Sequence, residues 1–495
     1  MKLKRLATAP SLLLIAALAA CAASFDEQAA LAAPAPNPWP PAWQDAQATS
    51  PGEFTAPHFE PPSANHCQRA PDTREVPGRS AQQNDAAWHL RKDSADKLRA
   101  ASEINALTMG KATPSAVVPA APRAESEPRA LVASDRVAPA PQVPEPVDAV
   151  VTAGVVDDNA DFGAYLVYRQ RNTRQPVRER DISERYLLEV FDANGRPVHD
   201  AEVAVQRAGL AEPVAWARTD TAGRIWLHPR AFIAPAFAAE PVLGVAVRKG
   251  GAQARATLVR GQSNALQVRL GAGSSVQRPR LDLVFMIDAT GSMGDEIDKL
   301  KRSMLAMADQ IAQLPGQPDI CYGLVAYRDR GDAFITRTHD LTNDLGAFQG
   351  LLAKVQAQGG GDTPEALNEA LHEVVHGLAW RTDAARLVVL VADAPPHLDY
   401  GGPQYDTDMQ AALAKGIKLF AVGASGLDPV GQYVLRQLAQ YTAGRFVFLT
   451  YRQAADPASG PGTQTVHDVK NYSVQTLDRL VVRLVSEEMA RLVRS

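Results

Sequence analysis

The chain predicts an α/β fold at its C-terminal end, a doubly wound and mostly parallel sheet, preceded by a smaller all-β sandwich and a mostly disordered N-terminal tether. Three observations carry that prediction. Continuous apolar runs such as Leu281–Ile287 and Leu387–Ala392 alternate with helix-period segments beyond residue 276, the pattern of strands buried on both faces. Short alternating runs with regular turn signals fill residues 153–272, which suits an antiparallel sandwich. Ala, Pro and polar residues dominate residues 22–152, a composition that buries too little apolar surface to offset chain entropy.

The first 21 residues carry Lys2, Lys4 and Arg5, then an apolar stretch from Leu12 to Leu18, then Leu18-Ala19-Ala20-Cys21. The apolar stretch falls far short of the ~20 residues that span a bilayer, so it reads as an export signal. Its ending resembles a bacterial lipobox, which implies a lipid on Cys21. Ala22 follows where retention would call for Asp, and by that resemblance the expected location is the outer membrane of a bacterial cell envelope, periplasmic or surface-exposed. The alternative is an ordinary signal cleaved at Ala-x-Ala. Cys67 and Cys321 remain, one in a polar Pro-rich tract and one at the start of an expected strand; two such cysteines imply no disulfide framework.

A length of 495 residues allows two or three domains, and 46% hydrophobic with 21% charged residues is ordinary for globular protein. A formal net charge of -4 offers no electrostatic case for nucleic acid or an anionic surface. Neither a Gly-x-x-x-x-Gly-Lys loop nor a dinucleotide Gly fingerprint is present, so no nucleotide is expected.

Within the tether one helix is expected near Asp85 to Leu107, with Trp88, Leu98, Ile104 and Leu107 as its apolar members. About 130 flexible residues reach on the order of 60 Å. The sandwich strands are expected at Tyr186–Phe191, Glu202–Arg207, Val214–Thr219, Arg224–Leu227, Val242–Arg248, Ala252–Val259 and Ala265–Leu270. Asn194-Gly195 and Thr221-Ala222-Gly223 supply hairpin chemistry between them. The stretch from Asp192 to Val203, with Thr219 to Arg224, resembles carboxypeptidase-regulatory-like or bacterial immunoglobulin-like repeats. Asp192 and Asp220 read there as turn-forming carboxylates. The Arg-rich segment from Tyr168 to Arg185, interleaved with acids, reads as a solvated hairpin.

In the α/β domain, residues 276–495, strands are expected at Leu281–Ile287, Ile320–Tyr327, Phe334–Arg337, Leu387–Ala392, Ile417–Val422 and Arg445–Leu449. Helices are expected at Asp295–Ile311, Leu345–Gln356, Pro364–Leu378, Thr407–Lys415 and Pro429–Tyr441. The short link between Tyr327 and Phe334 demands an antiparallel hairpin. Val474, Leu477, Val481, Leu484 and Leu492 mark a closing amphipathic helix packed on the sheet.

The first strand ends in Asp288-Ala-Thr290-Gly291-Ser292. The carboxyl ends of parallel strands are where open α/β sheets place ligands. Thr363 on the Gly359-Gly360-Gly361 loop and Asp393 at the end of a second buried strand complete a set of five hard oxygen donors. Such a set suits Mg²⁺, or Mn²⁺ or Ca²⁺, and the lack of nearby Cys or His pairs argues against zinc. Read alone, the same Ser292 or Asp295 caps a helix. The arrangement resembles the metal-ion-dependent adhesion site of the von Willebrand factor type A domain over roughly Arg278 to Ser495. That resemblance implies that Thr290, Ser292 and Thr363 touch the ion directly, that Asp288 and Asp393 act largely through water, and that a protein partner supplies an acidic residue to the open position. Thr290 stands where the family generally has Ser, a hydroxyl in either case. Function by this reading is non-enzymatic binding at the envelope; an assembly scaffold with a structural ion is one alternative, and a zinc metalloprotease through His372-Glu373-His376 is the other.

His372-Glu373-Val374-Val375-His376 matches the zinc-protease pattern. A catalytic zinc needs a third protein ligand, and neither the metzincin extension, absent at Ala379 and Thr382, nor a Glu between Val374 and Ser486 supplies one. Helix periodicity points Leu367, Leu371, Val374 and Leu378 at the sheet and leaves Glu365, Asn368, His372 and His376 on a polar side expected to face water. Asp288-Ala-Thr-Gly-Ser superficially matches the phospho-acceptor run of ion-pumping ATPases, without their membrane helices or nucleotide domain. His397 and Asp399 sit on the loop after Asp393, where they could overlook the ion and shape ligand choice, although an exposed His is the expectation.

Overall fold

The computed structural model describes residues 67, 70–78, 150–207, 212–233, 240–262, 265–271, 278–361 and 363–494. Cys21, the expected helix near Asp85 to Leu107, most of the tether and Asp362 lie outside them. Among the described residues no helix is long and apolar enough to cross a membrane.

Five parallel strands form the centre of one large sheet, in the spatial order Asp319–Tyr327, Arg280–Asp288, Ala384–Ala392, Ile417–Gly423 and Arg445–Gln453. Every residue of Leu281–Asp288 is buried. Its Leu281, Leu283, Phe285 and Ile287 enter one core, while Val284 and Met286 enter the other, the two-residue period of a strand covered on both sides. The first core takes Leu300, Met304, Met307 and Ile311 of the Ile297–Ala312 helix and Leu480, Val481, Leu484 and Leu492 of the Leu477–Arg494 helix. The second takes Leu367, Leu371 and Val374, then Met409, then Val434 and Leu438 from the Tyr405–Ala414 and Pro429–Tyr441 helices. Leu378 is also buried, so the expected apolar stripe is the observed one. Val474, by contrast, lies in a short strand, Val474–Thr476, before the closing helix.

Phe334–Thr342 runs antiparallel beside Asp319–Tyr327, as its short link requires, and extends past Arg337. It is not the edge. Thr73–Pro77, inside the segment read as a tether, pairs antiparallel with it. A polar run of five residues carries little strand signal by itself; its place comes from a partner strand far away in sequence. Arg74 Nε lies 3.2 Å from Glu373 Oε2, and Arg337 Nε lies 2.7 Å from Glu75 Oε2. A Cys67–Cys321 disulfide, with the Cα atoms 5.7 Å apart, holds the same arm. The reading that no disulfide framework follows from these two cysteines is thereby corrected, because the arm carries Cys67 to the buried start of a central strand.

The lower boundary of the sandwich also moves. Thr152–Val156 pairs with Arg445–Gln453 in the large sheet rather than with the sandwich. The Phe162–Arg171 helix buries Tyr165 and Tyr168 against Tyr433. The Arg-rich segment that begins within this helix is no solvated hairpin: Arg169 is buried and donates from Nε to Tyr433 Oη at 3.0 Å, and Arg178 and Arg180 pair with Asp406 at 2.6 and 2.8 Å. A single acidic partner on a distant helix, Asp406, taking both arginines, explains why local charge alternation misled.

The sandwich itself stacks a sheet ordered Arg224–Leu227, Tyr186–Phe191, Ala265–Arg269 on one ordered Pro213–Arg218, Glu202–Arg207, Val242–Lys249, Ala252–Val259. One pair, Tyr186–Phe191 with Ala265–Arg269, is parallel. Asp192 Oδ1 accepts from the amides of Asn194 and Arg196, and Asp220 Oδ1 from those of Ala222 and Arg224, at 2.8 to 3.0 Å; both carboxylates close turns.

A buried ion cluster joins the two domains. Asp200, in the sandwich, accepts from Arg386 Nη1 at 2.8 Å, from Arg218 Nη1 at 3.2 Å and from the Asp383 amide at 2.8 Å. Arg386 sits on the strand that ends at Asp393's neighbour, Ala392, and is 1% exposed. Asp200→Ala removes the carboxylate and leaves the buried guanidinium of Arg386 without it, so the expected loss is about 3–5 kcal/mol of unfolding free energy. Urea denaturation of the two proteins measures it.

Candidate metal centre

The register of the central strands brings two carboxylates together. Ile287 pairs with Val391, so Asp288 and Asp393 emerge from the carboxyl ends of adjacent parallel strands. Asp288 is fully buried, Thr290 likewise, and Asp393 is 7% exposed. The turn after Asp288 closes on it: the Thr290 amide and Oγ1 both donate to Asp288 Oδ1, at 3.0 and 2.7 Å, and Ser292 Oγ lies 3.0 Å from Thr290 Oγ1. The Ser292 hydroxyl and the Asp288 side chain both lie close enough to the Asp393 carboxyl to offset part of the rise that burial imposes on it.

The Gly-rich loop docks onto this turn. The Gly291 amide donates to Gly359 O at 2.9 Å, and a Cβ at Gly291 would come within 2.6 Å of that oxygen, so only glycine permits the approach. Gly359 itself has φ +78°, and Asp332 Oδ2 accepts from the Gly360 amide at 2.9 Å. On the far side of Thr363, the Glu365 amide donates to Pro395 O at 3.0 Å. Thr363 is therefore bracketed between a segment docked beside Thr290 and one docked beside Asp393, and it is exposed. The helix begins at Leu367 rather than Pro364, since Glu365 is engaged with the Pro395–Pro396 backbone.

Electrostatically the cluster is unbalanced. Asp288 Oδ2 and Asp393 Oδ1 are buried without a hydrogen-bond partner among the described residues, and neither carboxylate forms an ion pair there. Burial first, then the charge of Asp393, pushes the Asp288 carboxyl up to about 7. Glu365 is pushed up to about 9 by burial and then by Asp288, Asp329, Asp332 and Asp393. Burial likewise raises Glu296, to about 7, and Asp393. The cations nearby are used elsewhere: Arg328 donates to Ala289 O and Gln356 O, and Arg330 pairs with Glu369 at 3.0 Å. Buried oxygens orphaned among like charges are the donor set of a hard cation, so the residues present fit one.

Sequence reading missed Glu365, Glu296, Asp329 and Asp332, because each is positioned by loop packing rather than by strand ends. It also misjudged the loop after Asp393. His397 is buried, stacks on Tyr400 with ring centroids 3.6 Å apart and lies 3.4 Å from Asp329 Oδ1. Tyr400 Oη donates to both oxygens of Asp329 at 2.8 Å. Glu365 and Asn368 do not face water either. Asn368 donates to His397 O at 2.6 Å and accepts from the Tyr405 amide at 2.9 Å.

Comparison with known proteins falls on this domain. The model of the von Willebrand factor type A domain matches residues 282–455, so the α/β unit is a domain of that type. The alpha-protein kinase vwkA of Dictyostelium discoideum is 29% identical over 24% of this chain and 19% of its own length. The von Willebrand factor A domain-containing protein 7 of Rattus norvegicus is 36% identical over 19% of this chain and 10% of its own length. Among solved structures, the conserved hypothetical protein BatB from Bacteroides thetaiotaomicron aligns over 43% of this chain and 100% of that one, at 14% identity and a TM-score of 0.29. This chain thus spans only a small part of the curated relatives it matches.

The shifts fix a pH dependence. In the unfolded chain Asp and Glu carboxyls lose their protons near pH 4, whereas the folded, metal-free protein keeps one on Asp288 to about pH 7 and one on Glu365 to about pH 9. The folded state binds the extra protons across that window, so its stability falls as pH rises through it. Thermal melts in EDTA should show a midpoint that declines from roughly pH 5 to 9, with Mg²⁺ restoring most at the upper end. Asp288→Asn should flatten the lower part of the decline.

Proposed function

We propose that this chain is a non-enzymatic binding protein of the cell envelope that takes a protein partner through a divalent cation at the strand-end cluster. The observation that carries the reading is the pair Asp288 and Asp393, buried side by side with an orphaned oxygen on each. Thr290, Ser292 and Thr363 would hold the ion, with Asp288 and Asp393 behind them, as in the adhesion site the motif resembles. Mostly neutral hydroxyl donors leave a dication electrophilic, and the chemistry it supplies is an open position for an Asp or Glu side chain of the partner. A von Willebrand factor type A domain supports a role in protein interaction or adhesion. The Leu-Ala-Ala-Cys ending supports anchoring through a lipid on Cys21 as part of the same proposal.

The test is Mn²⁺ binding followed by calorimetry and electron paramagnetic resonance, together with partner capture from envelope extract in Mg²⁺ or EDTA. Asp288→Ala and Thr363→Ala should each abolish ion occupancy and Mg²⁺-dependent capture while circular dichroism stays that of the wild type. Capture that ignores EDTA and both substitutions contradicts the proposal and leaves assembly through other surfaces as the reading.

A further inference from the structure

We propose that His372, His376 and Asp408 form a second, separate cation site, one for zinc and similar borderline d-block ions. His372 closes the Leu367–His372 helix and His376 lies in the π-helical turn Glu373–Gly377 that follows. The buried stripe of Leu371, Val374 and Val375 fixes the rotation of this segment against the sheet, so both imidazoles emerge on one side with ring centroids 4.4 Å apart. The wall that sequence periodicity did not anticipate is the first turn of the Tyr405–Ala414 helix, whose Asp408 is buried and aimed at them. His372 Nδ1 lies 3.2 Å from each Asp408 oxygen and His376 Nε2 lies 2.9 Å from Oδ1. All three ligand atoms fall within 4.8 Å of one another.

The two His–Asp separations are close to what a tetrahedral ion imposes. Bonds of about 2.0–2.1 Å set ligand atoms roughly 3.3 Å apart, so both His–Asp distances need change by less than about half an ångström. Two imidazoles with one carboxylate select Zn²⁺, Ni²⁺ or Cu²⁺ over Mg²⁺ or Ca²⁺, the opposite preference to the all-oxygen cluster. Side-chain exposure of 47% at His372 and 22% at His376, against 4% at Asp408, leaves one side of the site open, where water completes the shell.

The site binds and does not hydrolyse. Glu373, which a zinc protease would need as its base, is held by Arg74 at 3.2 Å and by Thr338 at 3.4 Å. An ion there instead clamps two segments that both lead from the strand-end cluster: the helix that follows Glu365, and the helix that follows the Pro395–Gln404 loop. It requires no ion at Asp288 and stands independently of the function proposed above.

The test uses the full chain in excess Mg²⁺, so that the oxygen cluster is occupied, and titrates Zn²⁺ against a chromophoric chelator. One zinc per chain is expected, with a rise in thermal midpoint on zinc addition. His376→Ala should weaken binding by at least about tenfold and cancel the rise, whereas His376→Cys, which restores a zinc ligand, should retain both. Co²⁺ in place of zinc should give the visible bands of a tetrahedral site in wild type only. Zinc binding that is absent from the wild type, or equal in the wild type and the folded His372→Ala/His376→Ala double variant, overturns the proposal.

Discussion

The structure turns on a repulsion at the centre of its sheet. Two adjacent parallel strands, buried on both faces, each end in a carboxylate, and the register that packs their apolar residues leaves Asp288 and Asp393 no freedom to separate. Nothing cationic among the described residues answers them. Burial raises the carboxyls of Asp288, Asp393, Glu365 and Glu296, and neighbouring acids add to it: Asp393 at Asp288, Asp295 at Asp393, Asp288 first at Glu365, and Asp295 first at Glu296. A fold that gathers acids where solvent cannot screen them requires either protons or a metal ion, and the hydroxyls of Thr290 and Ser292 beside them favour the ion.

Rigidity around that point comes from both ends of the molecule. The arm at Thr73–Pro77 is sewn to the sheet by backbone pairing, by Arg74 and by the Cys67–Cys321 disulfide. The sandwich is joined at the opposite ends of the same strands through Asp200 and Arg386. Lys418 adds a second link, pairing with Asp220 of the sandwich and Glu488 of the closing helix at 3.2 and 2.8 Å. The strand-end loops are thus carried on a frame held at several edges, which suits a site whose donors must meet without rearrangement.

The elements with strong local periodicity were legible in the sequence. Pro429–Tyr441 begins with Pro after an Asp cap and matches its expected bounds, and all seven sandwich strands fall within a residue of expectation at each end. The strand ends placed Asp288 and Asp393 correctly because apolar runs terminate visibly. What stayed hidden depends on distant partners. Thr73–Pro77 is polar and exposed, Thr152–Val156 is short, and the disulfide joins residues 254 apart in sequence. The polar side of the Leu367–His372 helix looked wholly solvated because periodicity reports which side faces the sheet and says nothing of a second helix beyond; Glu365 and Asn368 are buried beside the Pro395–Gln404 loop, and Asp408 flanks His372 and His376, which stay 47% and 22% exposed.

The most direct test of the central claim is anomalous scattering from crystals soaked in Mn²⁺. One strong peak among Thr290, Ser292 and Thr363, within a water's reach of Asp288 and Asp393, is the result expected. Clear density for those side chains with no peak between them, at a concentration that saturates Mn²⁺ binding in solution, would contradict it.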